Sequence, residues 1–182
     1  MSDHCALSFA FELGAGIDDR VVRIFEALAR SDQPQSSDHA ALPPALTGMF
    51  ESVDALRGHR SVIGSPVTVW SREVRSMDGR PRLQRHLRLS LVMHDDWYAD
   101  GGWVLPFALF DIVGESGLFG QQRTEEGRGL THYYRRDADL AVVEVAVADR
   151  PGEPFAVTVD STTIVSAAER AEFLAQADGA WP

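Results

Sequence analysis

The sequence contains no lysine and no asparagine, and only one cysteine, Cys5, among its 182 residues. All 17 basic residues are therefore arginine. Lysine and asparagine have AT-rich codons, so their absence indicates a GC-rich, bacterial genome rather than a function that avoids ammonium groups. A lone cysteine in an apolar segment forms no internal disulfide and is typical of a buried thiol in a reducing compartment.

Long apolar runs are also missing. The longest charge-free apolar stretch, Gly101 to Phe110, is too short to span a bilayer and contains Pro106. No basic residue precedes the first apolar segment, so the sequence predicts no signal peptide. We therefore expect a cytoplasmic protein that does not engage a membrane.

Positive charge is in deficit, because the formal net charge is -10 at pH 7. Nucleic-acid binding depends on clustered cations that neutralise phosphates, so this balance argues against a nucleic-acid partner. The length of 182 residues and the hydrophobic fraction of 45% are sufficient for one well-buried core. The sequence therefore predicts a single globular domain over residues 1–182.

The apolar residues follow both strand and helix periods. Leu7 to Leu13 alternate as in a half-buried strand, and residues 18–31 have helical spacing. Asp78-Gly79 predicts a hairpin between strands at Pro66–Arg75 and Arg82–Met93. Further strands are predicted over 118–123, 130–135, 139–148 and 155–162, and further helices over 43–56, 104–113 and 166–177.

These elements indicate the fold class. Hairpins with helices before, between and after them predict an α+β fold, in which about four helices pack mainly on one face of an antiparallel or mixed sheet. The sequence shows neither an alternating βαβ order nor an internal repeat.

The segment from His94 to Asp111 concentrates acids, a histidine, two tryptophans and a Gly-Gly pair. Imidazole and carboxylate groups in a short loop are ligands for divalent ions, which makes His94, Asp96 and Asp100 the metal candidates. Their spacing matches no established ligand pattern. The alternative is structural: Asp95 and Asp96 form turns, and the tryptophans pack the loop onto the core.

The polar faces of two strands supply further candidates. His86 and Arg88 share one face of the strand 82–93, and His132, Tyr134 and Arg136 share one face of a later strand. If the sheet has an uncovered face, this composition is favoured at protein interfaces, whereas an ordinary solvated face is the alternative. The predicted binding residues are His94, Asp95, Asp96, Trp97, Tyr98, Asp100, Trp103, His86 and Arg88.

The function expected from these features is protein binding without catalysis. Size, acidity and the lack of a catalytic motif resemble those of bacterial immunity proteins that neutralise toxins, which is an argument by analogy. Such a module would dock a basic protein partner on the loop 94–103. The alternative is a metal-assisted hydrolase or small-molecule-binding protein that uses the same loop. No other cofactor is predicted, and a homodimer is compatible with either function.

Overall fold

The computed structural model describes residues 4–30, 32, 35–42, 46–47, 67–94, 102–124, 129–148 and 156–177. The strands in these ranges are β1 (His4–Glu12), β2 (Val67–Arg75), β3 (Pro81–His94), β4 (Gly117–Thr124), β5 (Gly129–Arg136), β6 (Asp139–Ala148) and β7 (Ala156–Val165). The helices are α1 (Asp19–Ala29), α2 (Ser36–His39), α3 (Leu105–Leu109) and α4 (Ala167–Ala177). Short 3₁₀ helices, Gly102–Val104 and Phe110–Ile112, flank α3.

The strands form one antiparallel sheet in the order β2-β3-β1-β4-β5-β6-β7. The predicted α+β fold, with about four helices packed mainly on one face, is wrong, because the sheet dominates the architecture. The mixed sheet that the prediction allowed is also not found in the described part. The longest described helices have 11 residues, whereas β3 alone has 14. Hydrogen-bonded ladders, rather than helix packing, therefore determine the fold.

β1 is an interior strand, third in the order, between β3 and β4. Its odd-numbered residues Cys5, Leu7, Phe9 and Phe11 are buried, as the alternating pattern of the sequence predicts. Each of them pairs in register with an odd-numbered residue of β3, so that the apolar faces of the two strands coincide. This shared face is called the core face below. The prediction of a buried Cys5 is confirmed.

The described helices contact the core face. In α1, Val21, Ile24 and Phe25 join the hydrophobic core, and the predicted helix over 18–31 is confirmed with slightly narrower bounds. Asp18 caps this helix, since its Oδ1 accepts a hydrogen bond of 2.8 Å from the backbone N–H of Arg20. The hydrogen bonds from Arg20 lower the pKa of Asp18 to about 2. The predicted helix over 43–56 lies almost wholly outside the described residues.

The hairpin predicted at Asp78-Gly79 is confirmed, and its strands pair from Arg75 opposite Pro81 onwards. The backbone N–H of Ser76 donates to the carbonyl of Arg80 over 3.0 Å, which closes a loop of three residues rather than two. Gly79 has a φ of 79°, a left-handed conformation that glycine adopts without a steric penalty. The strand bounds therefore match the prediction to within one residue.

Two register shifts interrupt the ladders. Between β4 and β5, Leu118 pairs with Tyr134 and Gly120 with Tyr133, so Phe119 is an extra residue. The bulge directs Phe119 into the core, where only 2% of it is exposed, while Leu118 stays 50% exposed on the opposite side. Between β6 and β7, Asp160 is the extra residue. β7 forms one edge of the described sheet.

Candidate functional site

The side chains that alternate with the core residues form the second side of the sheet, which we call the open face. Within the described ranges no helix packs on this side, since α1, α3 and α4 all contribute to the core or contact it. On the central strands β1 and β3 it presents the residues Ala6, Ser8, Ala10, His86, Arg88, Ser90 and Val92. Over β1 and β3, this side of the sheet is therefore not covered by any described helix. On β6, Ala141 and Val145 lie on the same side in register and are buried.

Exposed apolar side chains are concentrated on the open face. Among the described residues, seven large hydrophobic side chains are exposed. Met77 lies in the hairpin loop, and Leu83 lies on β3 in line with the core face. The register places the other five on the open face: Trp70, Leu118, Val157, Val159 and Ile164. These five side chains lie on β2, β4 and β7, which range from one edge of the described sheet to the other, so the exposed apolar surface is spread across the open face rather than gathered in one patch.

Positive charge is also concentrated there. On strands β1 to β5 the described open face carries a single carboxylate, Glu12. The same strands contribute five arginines, which are Arg72, Arg82, Arg88, Arg123 and Arg136. Asp139, on β6, stands opposite Arg136. The sign of this face is therefore opposite to the net charge of the whole chain, which is -10.

A groove of about 430 Å³ lies over the centre of the open face. Ala6 and Ser8 of β1 form its floor together with Ser90 of β3, because these side chains are smaller than those on either side. Larger side chains border it, namely Val92, Gln121, Arg123 and Leu130. The small residues at alternate positions of β1 thus create the depression.

At the β2 side of the open face, His86 stacks on Trp70 with 5.0 Å between the ring centroids and 10° between the planes. The two residues are direct cross-strand neighbours on β2 and β3. The Nε2 atom of His86 is buried and has no hydrogen-bond partner among the described residues. The stack holds both rings in place while Trp70 remains 44% exposed.

Glu12 is the buried acid of the open face, with 2% of its side chain exposed. Its Oε1 accepts a bond of 2.6 Å from Arg82, and its Oε2 accepts one of 2.9 Å from Gln84. Burial raises the pKa of Glu12, and a hydrogen bond with the Glu115 carboxyl raises it further, while Arg82 acts in the opposite direction.

Glu115 is brought to this position by the close approach of two glycines. The N–H of Gly14 donates to the carbonyl of Ile112 over 3.0 Å, and the N–H of Gly114 donates to the carbonyl of Glu12 over 2.7 Å. A Cβ at Gly114 would lie 2.9 Å from the Cα of Gly14, so this crossing requires glycine.

The structure places the predicted site residues as follows. His86 and Arg88 lie on the open face, together with His132, Tyr134 and Arg136 of β5. Trp103 is half-buried and packs edge-on against Phe107 and Phe173, with centroids 6.1 and 6.3 Å away. The remaining loop residues, Asp95, Asp96, Trp97, Tyr98 and Asp100, lie outside the described residues, and of His94 only the backbone is described, opposite His4.

Sequence reasoning missed the residues that other strands bring to this face, above all Trp70, Leu118, Gln121 and Arg123. The alternation within β2 and β4 indicates on which face of the sheet each of these residues lies. It does not give the order of the strands, which is what brings these residues beside His86 and Arg88.

The proposed metal ligands His94, Asp96 and Asp100 are not tested by the described side chains. In the part of the chain that the structure describes, no group of three His, Cys, Asp or Glu side chains has a metal-binding arrangement. In the same part, no helix is long and apolar enough to cross a bilayer.

The fold and the open face together define a sheet-dominated domain with one exposed face of mixed apolar and basic character. No protein-family model matches the chain, and comparisons with curated proteins and with solved structures found no significant match.

Proposed function

We propose that this chain is a protein-binding module that docks its partner on the open face of the sheet. The observation that carries the proposal is the location of the exposed apolar side chains. Five of the seven that are exposed in the described part lie on this one face. Burying apolar surface is the main driving force of protein association, and arginine and aromatic residues are enriched at such interfaces.

The individual side chains support this proposal. Trp70 and Arg88 belong to the residue types that most often dominate binding energy. Leu118 is held outward by the bulge in β4, and Ile164 is 43% exposed on β7. Because these residues project from paired strands, the surface is preorganised, and less conformational entropy is lost when a partner binds.

The more specific expectation, an immunity-type inhibitor of a basic toxin, is a separate proposal that concerns the acidic loop 94–103 and not the open face. Its support is the sequence of that loop and the net charge of -10. The metal-assisted hydrolase has no support from the described side chains.

The experiment is capture from a lysate of the source organism with a matched set of variants. The test variant combines Leu118→Thr, Val159→Thr and Ile164→Thr, which keeps strand propensity but removes exposed apolar surface. The control variant combines Met77→Thr and Leu83→Thr, which removes exposed apolar side chains that lie off the open face. Circular dichroism and thermal unfolding of the three proteins verify that they are folded.

We expect one protein to be retained in stoichiometric amounts by the wild type and by the control variant. The open-face variant should retain at least about tenfold less of it, since losing apolar contact at an interface costs affinity. Equal retention by the open-face variant, or no retained protein at all, would contradict the proposed function.

A further inference from the structure

The open face carries positive charge, whereas the negative net charge of the chain suggests a basic partner. The chain carries a net charge of -10, but on β1 to β5 the described open face has five arginines and one glutamate. That glutamate, Glu12, is already bonded to Arg82 and Gln84. The face therefore has a surplus of positive charge that its own carboxylates do not neutralise.

One arginine, Arg123, lines the central groove, and a second, Arg88, lies just beyond it, two residues along β3 from the lining residue Ser90. Arg123 borders it from β4, opposite Ala6 in register, and Arg88 projects from β3, opposite Ala10. Neither guanidinium forms an ion pair or side-chain hydrogen bond with another described residue. Both side chains are exposed, so their donors are available to a ligand.

The spacing of these cations fits an extended peptide. Ala6 and Ala10 are separated by roughly 13 Å along β1, and the two arginines stand on opposite sides of that strand. A segment of about five residues in extended conformation spans this diagonal. Ala6 and Ser8 form the floor of the groove, Val92 lies beside Ala6 on β3, and Leu130 lies beyond Arg123 on β5.

We infer that the partner presents an acidic segment with interspersed apolar side chains, which lies in the groove with its carboxylates on Arg88 and Arg123. This inference rests on the proposed function and adds the chemistry of the partner. Guanidinium groups bind carboxylates through paired N–H donors, and the apolar side chains of the segment contact Val92 and Leu130. The acidic exterior elsewhere repels an acidic partner from other surfaces, which restricts binding to this face.

A single-stranded nucleic acid is the competing anionic ligand. The apolar residues Leu118, Val159 and Ile164 favour the protein, since they have no counterpart to contact in a phosphate backbone. The total charge also opposes a polyanion more strongly than it opposes a short acidic segment. Nucleic acid is therefore an outcome of the test rather than part of the inference.

The test uses three fluorescein-labelled probes: a peptide of alternating Glu and Val, the same peptide with Lys in place of Glu, and an oligothymidylate of equal length. Fluorescence anisotropy measures their binding to the full chain at low and moderate salt. The test variant is Arg88→Glu with Arg123→Glu. The control variant is Arg75→Glu with Arg80→Glu, which makes the same charge change at exposed positions away from the groove.

We expect the Glu-Val peptide to bind saturably, and its affinity to fall about tenfold or more in the test variant but by less than about threefold in the control variant. The test variant should instead bind the Lys-Val peptide. Tighter binding of oligothymidylate, no binding of the Glu-Val peptide, or an equal loss in both variants would overturn the inference. If the inference fails while the Leu118, Val159 and Ile164 variant still loses its captured protein, the proposed function stands and only the acidic partner is wrong.

Discussion

The ring of Phe9 covers Gly120 on the adjacent strand, and a Cβ added at Gly120 would lie 2.3 Å from its Cδ1 atom. The two residues are direct partners in the ladder between β1 and β4. Phe9 is fully buried, and its ring lies 6.4 Å from that of Phe119 and 6.3 Å from that of Tyr133. A glycine beneath this aromatic cluster is therefore a requirement of packing.

The first prediction follows from this contact. Gly120→Ala should destabilise the fold by about 1 to 3 kcal/mol, because the added methyl group would displace the buried Phe9 ring, which packs against Phe119 and Tyr133. Gly129→Ala is the control, since its Cβ would meet only the carbonyl oxygen of Val145, at 3.6 Å. That control should change the free energy of unfolding by less than about 0.5 kcal/mol. Denaturant unfolding measures the free energy of unfolding of the two variants. Equal values would show that the contact between Phe9 and Gly120 is not tight.

The second prediction concerns pH and Glu12. The pKa of Glu12 is raised in the folded protein by burial and by Glu115, so protonation favours the folded state. The stability that this residue contributes is therefore fully present below its unfolded pKa, and it is lost as pH rises through the higher folded pKa. Glu12→Gln removes this dependence. The melting temperature of the variant relative to the wild type should rise from about pH 4 to about pH 7.

A control separates this effect from a general loss of negative charge. Glu172→Gln on α4 makes the same substitution at an exposed position. Thermal unfolding of the three proteins is followed across the same pH range. A difference between Glu12→Gln and the wild type that stays constant with pH, or falls as pH rises, would contradict the assignment.

The third prediction concerns Arg135, which binds the backbone of the segment from Phe110 to Val113, before β4. Its guanidinium donates to the carbonyl of Phe110 over 3.0 Å and to that of Val113, and it lies 4.8 Å from the centroid of the Phe110 ring. Arg135→Met keeps most of the side-chain volume but leaves both carbonyls without this donor. We expect a loss of about 1 to 3 kcal/mol.

The neighbouring arginine provides the control. Arg136 is exposed on the open face, so Arg136→Met should have an effect within about 0.5 kcal/mol. Chemical denaturation at neutral pH compares the two variants. If both lose the same stability, the contacts of Arg135 with Phe110 and Val113 are not the cause.

Much of the local structure could be predicted because it depends on neighbouring residues. The hairpin at Asp78-Gly79 and the alternation of β3 follow from turn chemistry and side-chain period. Arg85 interrupts the apolar pattern of β3. In the structure its guanidinium forms an ion pair of 2.6 Å with the carboxylate of Asp19 at the start of α1, which accounts for a charged residue at this position. That contact joins distant parts of the chain and has no signature in the strand itself.

The fold class was predicted wrongly because strand order is a long-range property. β1 pairs on one side with β3 and on the other with β4, both far along the chain, which makes the first strand an interior strand of the sheet. Periodicity locates strands and helices along the sequence, but it does not show whether the sheet or the helices dominate the fold. The prediction therefore overestimated the contribution of the short helices.

The candidate site was predicted in part for the same reason. His86 and Arg88 could be assigned to a polar face from the sequence of β3 alone. Arg123 and Leu118 reach the same face through pairings of β4 with β1 and β5. The loop from 95 to 101 stays a prediction.

The extra residue Asp160 has a consequence for self-association along β7. A straight outer strand rich in valine and threonine recruits strands from other molecules and grows into fibres. The bulge and its charge break the straight contour of β7 where such a strand would have to align. Pairing between copies along β7 is thereby disfavoured, so raising the protein concentration should not propagate an assembly from this edge.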